Sequence, residues 1–246
     1  LPIVETAQPL DGPAVTALRR AAKKYGIGVC TSLHEKDRDS CYNTAVLIDS
    51  QGEMIGTYRK THLAITEHES GVSAGQELPV FDTPFGRLGM LVCWDLWFQE
   101  PSRILALKGA EVLFAPVAGD GHVPHWNHVW HSRAIDNGIY LITSTNTSNT
   151  PSRILSPTGE LLAETNQHMQ VAVADLCFDE KNGSHWLSVG NAFGETSLYL
   201  QQRRPELYGI LTAPHGEVTH PAARRAVRLP HEYLLKRHTA EYQLPE

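Results

Sequence analysis

The chain has 246 residues, of which 41% are hydrophobic and 20% are charged, and its 27 acidic and 21 basic side chains give a net charge of −6. This composition excludes a disordered or fibrous protein, and the acidic balance gives no electrostatic reason to expect nucleic-acid binding. No apolar run approaches the roughly 18–20 residues that span a bilayer. The length fits one large domain or two small ones, and favours one α/β unit.

Hydrophobic periodicity and turn residues predict three helices and ten strands. The first helix covers residues 11–25, with Asp11 as its cap, Pro13 in its first turn and Gly26 after its end. The other helices are predicted at residues 101–108 and 126–137. The strands are predicted at residues 27–33, 44–48, 54–59, 81–82, 88–93, 112–115, 140–145, 154–155, 161–164 and 171–176.

Strand pairs joined by hairpins alternate with single helices along this order, which predicts a mixed sheet with helices outside it. Two such sheets facing each other would form a four-layer sandwich. Residues 1–212 are predicted to form one domain. Residues 213–246 lack a sustained period and are rich in proline, histidine and arginine, so we expect a surface tail that contacts another subunit.

The four cysteines, Cys30, Cys41, Cys93 and Cys177, form no C-x-x-C pair and have neither zinc-site nor disulfide-framework spacing. Their pattern favours a reducing, cytoplasmic location. Most cysteines of this kind are small buried apolar residues. A catalytic cysteine therefore has to be identified by its local context.

Two candidate nucleophiles differ in that context. Ser73 lies in a G-x-S-x-G pattern at residues 71–75, but no strand precedes the pattern and no helix follows it, so a glycine-rich turn is predicted. Cys93 follows the apolar residues 88–92 directly, and a helix is predicted soon after it. Such an elbow presents a thiol at the sheet edge near a helix start, which favours negative charge. Spacing alone fits a buried structural cysteine equally well.

Lys60 is a second candidate, at the end of the predicted strand 54–59 and 33 residues before Cys93. If the two strands are neighbours, its ammonium group can point into the same cleft and stabilise an oxyanion. A solvated surface lysine is the alternative.

Taken together, these segments resemble the nitrilase superfamily of carbon–nitrogen hydrolases. The similarity is carried by Y-R-K-T-H-L at residues 58–63 and G-M-L-V-C-W-D at residues 89–95. Residues 42–45, 109–116 and 133–137 also resemble family segments, the last with Asp136 where the family has glutamate. The resemblance covers about residues 9–210.

The resemblance implies an α-β-β-α sandwich and a Glu–Lys–Cys mechanism without metal or organic cofactor. Cys93 would be the nucleophile, and Lys60 together with the backbone N–H of Trp94 would hold the oxyanion. The family also places a second glutamate between the lysine and the cysteine. Glu67 and Glu69 are both candidates for that position.

The general-base glutamate of this family has no match in the chain. Glu5 and Asp11 are the only acidic residues before residue 27, and no apolar strand leads into either. We therefore expect the first strand–helix unit and the base to be missing, and turnover by this chain to be small. A truncated copy of an active enzyme and a family member without its base both fit this pattern.

The C-W-D sequence at Cys93 resembles amidase and N-carbamoyl-amine hydrolase branches, whereas nitrilases tend to have C-W-E. The resemblance implies hydrolysis of a linear amide or N-carbamoyl amine with release of ammonia. The alternatives are a nitrilase and a non-catalytic member that acts by binding or assembly. Trp94, Trp97 and Phe98 are expected either to wall an apolar substrate pocket or to pack in the core.

Four histidines recur at every third residue, His122, His125, His128 and His131, but Pro124 interrupts them and no acidic ligand has motif spacing. They are expected to line the cleft mouth or to bond locally rather than to bind metal. The expected partners are a small-molecule substrate and a second copy of the chain, because family members dimerise across the helices predicted at 101–108 and 126–137. No nucleic-acid or membrane partner is expected.

Overall fold

Two β-sheets that face each other form the centre of the protein, seen in a computed structural model that describes residues 3–119, 123–146, 150–165, 170–178, 187–189, 192–194, 200 and 202–213. The helices are α1 (Ile3–Thr6), α2 (Pro13–Tyr25), α3 (Ile65–Glu69), α4 (Gln99–Leu107) and α5 (Val123–Asn137). The strands are β1 (Val29–Asp37), β2 (Ser40–Ile48), β3 (Met54–Arg59), β4 (Val72–Ser73), β5 (Val80–Thr83), β6 (Gly86–Met90), β7 (Val112–Val117), β8 (Tyr140–Thr145), β9 (Arg153–Leu155), β10 (Leu161–Glu164), β11 (Leu187–Val189) and β12 (Ala192–Gly194).

The first sheet has the order β1-β2-β3, with antiparallel pairing throughout, and β4 adds to β2 in parallel. The second sheet has the order β10-β9-β8-β7-β6-β5. Its centre, β6-β7-β8, is parallel and its outer pairs are antiparallel. Parallel neighbours need crossover connections, and α4 and α5 supply them between these strands.

The four layers follow from which residues are buried. Helix α2 packs Val15 and Ala22 against Val46 and Ile48 on the outer face of the first sheet. Alternate residues of the same strands, such as Ala45 and Leu47, belong to a larger core shared with the second sheet and with α4 and α5. The expected α-β-β-α sandwich is therefore confirmed.

The two sheets approach each other closely at Gly56 on β3. A Cβ atom there would lie 2.0 Å from the Phe81 ring on β5, closer than any side chain permits. Glycine at this position lets the aromatic ring fill the space between the layers. The close approach fixes β3, and with it the residue that follows β3, against the second sheet.

Several details differ from the sequence predictions. Gly12, not Asp11, is the N-cap of α2, and the Ala14 N–H in the first turn bonds Gln8 Oε1 at 3.3 Å. Strand β6 ends at Met90 rather than continuing to Cys93. The strand predicted at residues 171–176 is wrong: this segment is irregular, and Val171 and Val173 are 85% and 79% exposed. No strand in the described part of the chain pairs with this segment, and directly after it the Tyr140 hydroxyl bonds the backbone of Cys177.

The chain divides into two units, residues 1–201 and 202–246. Within the second unit, the structure describes two short 3₁₀ helices, Pro205–Leu207 and Gly209–Thr212. The predicted tail at residues 213–246 lies, apart from Ala213, outside the described residues. In the described ranges, no helix combines the length and the hydropathy needed to cross a bilayer.

Candidate active site

Cys93 lies at a sharp bend between the second sheet and α4. After β6, the Leu91 N–H still bonds the Phe114 carbonyl of β7, and a 3₁₀ helix, Cys93–Trp97, begins immediately afterwards. The φ angle of Cys93 is +47°, in the left-handed region that L-residues rarely adopt. Such strain persists only where the surrounding structure holds it in place. The bend, called the elbow below, comprises residues 92–98.

Lys60 directly follows β3, and its side chain is only 2% exposed. Its Nζ atom donates to Glu67 Oε2 on α3 at 2.5 Å. Two further groups donate to the same carboxylate, Asn43 Nδ2 at 2.7 Å and the Ala64 N–H at 2.8 Å. Because a buried ammonium group needs a paired and hydrogen-bonded partner, Glu67 fixes Lys60 in one orientation.

One cavity of about 470 Å³ brings these groups together. Cys93, Lys60 and Glu67 all line it, and residues from β1, β7 and β8 complete the wall. The lining is mostly small or polar, with hydroxyl and amide side chains from Thr31, Ser32, Asn43, Thr66, Ser144 and Asn146. Such a wall suits a short ligand with several hydrogen-bonding groups.

The C-terminal end of the elbow is bonded to helix α5. Arg133 is buried, and its Nε and Nη2 atoms donate to the carbonyls of Leu96 at 2.9 Å and Trp97 at 3.2 Å. Burial lowers the pKa of Arg133 from its ordinary value, with Asp136 and Glu100 acting in the opposite direction. Asn137 Nδ2 in turn bonds the Arg133 carbonyl. The R-A-I-D-N segment, residues 133–137, thus holds the carbonyls of Leu96 and Trp97 in place.

The aromatic residues after Cys93 do not line this cavity. Trp97 packs edge-on against Trp126 with ring centres 5.0 Å apart, and Phe98 stacks on His62 at 4.2 Å. Trp94 is 36% exposed and packs against Trp97. Of the two interpretations left open for these rings, the contacts of Trp97 match core packing, and the pocket wall around Cys93 is formed by other residues.

The remaining candidates lie elsewhere. Glu69 is exposed on α3, and Glu5 and Asp11 are exposed near the start of the chain, so none of the three lines the Cys93 cavity. Ser73 forms part of the short strand β4 rather than the predicted turn, also away from the cavity.

The histidine cluster is described only in part. His131 Nδ1 contacts the Gly159 carbonyl, 28 residues further along the chain, at 2.7 Å. Among the described residues, no three histidine, cysteine or acidic side chains are placed to hold a metal ion. His122 lies outside the described residues.

Of the four cysteines, Cys93 alone lines this cavity. Burial raises the pKa of the Cys30 thiol to about 12, and burial together with Glu35 raises the pKa of Cys41. Because the thiolate is the reactive form, neither thiol is reactive near neutral pH. Cys177 is exposed and lies outside the cavity.

Sequence reasoning did not single out His34, which lines the cavity from β1. Burial lowers its pKa from the ordinary value of 6.5; Glu67 acts to raise the pKa and Lys60 to lower it further. The imidazole is therefore neutral at neutral pH. No motif marks His34, because only the folded sheet brings β1 beside Lys60.

This shift predicts how stability depends on pH. Just below pH 6.5 the unfolded chain protonates His34 while the folded protein does not, so the free energy of unfolding falls as the pH drops through that value. We expect His34→Gln to reduce this fall, measured by urea unfolding at about pH 7.5 and about pH 5.5. His68→Gln, at an exposed position on α3, is the control. An unchanged pH dependence in His34→Gln would contradict the prediction.

The four-layer fold places the chain in the nitrilase superfamily, and comparisons with known proteins agree. A family profile described as carbon-nitrogen hydrolase matches residues 1–180. The chain belongs to the carbon–nitrogen hydrolase family.

Among its relatives, the citrullinase of Francisella tularensis is 32% identical over 226 residues, covering 80% of this chain and 74% of that protein. The N-carbamoylputrescine amidase of Arabidopsis thaliana is 29% identical over 236 residues, covering 84% and 75%. A solved structure of the amidase from Nesterenkonia sp. AN1, a mutant with acrylamide added to its active-site cysteine, is 27% identical with a TM-score of 0.66. That match covers 80% of this chain and 74% of the solved one.

Proposed function

We propose that the protein cleaves a carbon–nitrogen bond in a small linear amide or N-carbamoyl amine through a covalent intermediate on Cys93. The observation that carries the proposal is the single cavity lined by Cys93 and the buried Lys60–Glu67 pair. The relatives named for amidase and citrullinase activity support the substrate class.

In this mechanism Cys93 Sγ attacks the carbonyl carbon, and the developing oxyanion is held by Lys60 Nζ and the Trp94 N–H. Collapse of the tetrahedral intermediate expels ammonia from a primary amide, with the thiol proton transferred to the leaving nitrogen. Water then attacks the thioester, releasing the carboxylic acid and restoring the thiol. The elbow presents Sγ, and the lysine supplies a fixed positive charge.

Glu67 is proposed to position Lys60 rather than to carry protons. Its carboxylate accepts from Lys60, Asn43 and Ala64, so its lone pairs are largely occupied by donors. The described lining residues include no second carboxylate. We therefore propose that deprotonation of Cys93 and hydrolysis of the thioester are both slow in this chain, and that hydrolysis is the slower step, so the adduct accumulates.

The test is incubation with short primary amides, with N-carbamoyl amines and with nitriles, followed by intact-mass spectrometry and an ammonia assay. We expect a Cys93 adduct and ammonia with at least one amide or N-carbamoyl amine. Adduct formation with nitriles alone would identify a nitrilase instead. No Cys93 adduct with any of the three would favour a protein that acts by binding or assembly, and rapid turnover would contradict the slow hydrolysis.

We also propose a homodimer formed across α4 and α5. These helices carry apolar side chains that are more than a third exposed, among them Ile104, Leu107 and Ile135. Covering such side chains is a general driving force for association. Sedimentation velocity would show the expected dimer, and Leu107→Glu should shift it towards monomer.

A further inference from the structure

Asp95 is a fully buried carboxylate that the proposed mechanism leaves unused. It lies in the elbow two residues after Cys93, is 0% exposed, and is not among the residues that line the cavity. A buried carboxylate is costly unless each oxygen is well supplied with donors. Its surroundings meet that requirement from two separate segments of the chain.

Oδ2 receives the first set of bonds. It accepts from the Val92 N–H at 2.9 Å and from the Tyr58 hydroxyl at 2.8 Å. Val92 immediately precedes Cys93, and Tyr58 lies two residues before Lys60. Burial, and then the adjacent Asp95, raise the pKa of Tyr58 above its ordinary value, so its hydroxyl keeps its proton and remains a donor.

Oδ1 receives the second set, from the residues immediately after Lys60. It accepts from the His62 N–H at 2.8 Å and lies 3.1 Å from His62 Nδ1 and 3.2 Å from Thr61 Oγ1. Five contacts therefore converge on one side chain. Four come from the residues that flank Lys60, and one comes from the residue before Cys93.

We propose that Asp95 is a positioning residue that fixes the distance and orientation of Cys93 Sγ relative to Lys60 Nζ. The inference rests on the proposed function, since it assigns a role in the same reaction. The left-handed backbone of Cys93 is held because Asp95 bonds across it to the Val92 N–H. Its other oxygen anchors the elbow to the lysine segment, residues 58–62, so the two reactive groups move as one unit.

Charge and shape both matter for this role, which makes Asp95→Asn informative. An amide of the same size has only one accepting oxygen. Whichever way it is oriented, its NH₂ group faces donors: the Val92 N–H on one side or the His62 N–H on the other. Either the bond that holds the left-handed backbone within the elbow or a bond that joins the elbow to the residues after Lys60 is therefore lost, while the cavity wall is unchanged.

The experiment compares Asp95→Asn with the parent by three measurements: the rate of Cys93 alkylation by iodoacetamide against pH, the rate of adduct formation with the best amide, and the midpoint of thermal unfolding. We expect adduct formation at saturating amide to fall about 10²-fold, as for a misplacement of about 1 Å. The amide concentration at half-maximal rate should change little, because Asp95 does not contact the cavity.

Two further variants keep the proposal falsifiable. Tyr58→Phe removes one bond to Oδ2 and should give a smaller loss of the same kind, even if Asp95→Asn does not fold. Asp49→Asn is the matched control, because Asp49 also accepts two backbone N–H bonds, from Gln51 and Glu53, in the turn between β2 and β3. It should lower the unfolding midpoint without slowing adduct formation.

The outcomes distinguish a failure of the proposed function from a failure of the positioning role of Asp95. If the parent forms no amide adduct, the proposed function fails. If the parent reacts and both Asp95→Asn and Tyr58→Phe react at the parent rate, the positioning role is wrong. It is equally wrong if Asp49→Asn, matched for loss of stability, slows the reaction as much as Asp95→Asn does.

Discussion

Replacing Cys93 with alanine is expected to abolish adduct formation and to lower ammonia release by at least about 10³-fold, because the nucleophile itself is removed. The methyl group fills the Cβ position, so the fold and the cavity should persist. Intact-mass spectrometry after incubation with substrate measures the first effect, and a coupled ammonia assay measures the second.

The matched control is Cys177→Ala, which removes an exposed thiol outside the cavity and should leave adduct formation unchanged. Cys30 should resist labelling in every variant near neutral pH, since burial raises its pKa to about 12. An adduct that survives in Cys93→Ala would show that another residue is the nucleophile.

The second large effect is expected at Lys60. In Lys60→Met the oxyanion loses its cation, and adduct formation should fall about 10²–10³-fold. The same change leaves Glu67 buried without its partner, at a cost of about 3–5 kcal/mol in the free energy of unfolding. Adduct kinetics and urea unfolding measure the two effects separately.

The double variant Lys60→Met/Glu67→Gln separates chemistry from stability. Removing the orphaned charge should recover much of the lost unfolding free energy but none of the reactivity. Arg19→Met/Glu53→Gln provides a comparison pair, because that salt bridge is exposed, with side chains 41% and 71% accessible, and should contribute less than about 1 kcal/mol. Recovery of reactivity in the Lys60 double variant would contradict the oxyanion role.

Local signals predicted the parts of the fold that local interactions determine. The predicted strands 44–48 and 54–59 do pair as β2 and β3, because Asp49 accepts backbone bonds within the turn between them and Gly52 takes the positive φ angle of 79° there. The strand predicted at 171–176 failed for the opposite reason. Its pattern was suitable, but a strand also needs a neighbour, and the sequence pattern does not show whether one is present.

In the candidate site, too, some residues are marked by local sequence signals and others by distant contacts alone. Cys93 and Lys60 were identified as candidates because each follows a recognisable strand. Glu67 and Glu69 could not be distinguished by spacing. On a helix, however, side chains two residues apart are rotated by about 200° about the helix axis, and on α3 it is Glu67 that faces Lys60. Asp95 and His34 act through partners more than twenty residues away in sequence, so only the packed sheets reveal them.

The backbone conformation at Cys93 lowers local stability at the position of the proposed nucleophile. A φ angle of +47° costs an L-amino acid about 1–2 kcal/mol, whereas glycine adopts it without penalty. Glycine is therefore the residue that would best suit the fold at this bend, and it is also the residue that would leave the cavity without a nucleophile. On the proposed function, thermostability gained by relaxing this one position would come at the direct expense of reactivity, so efforts to strengthen the protein belong elsewhere in the chain.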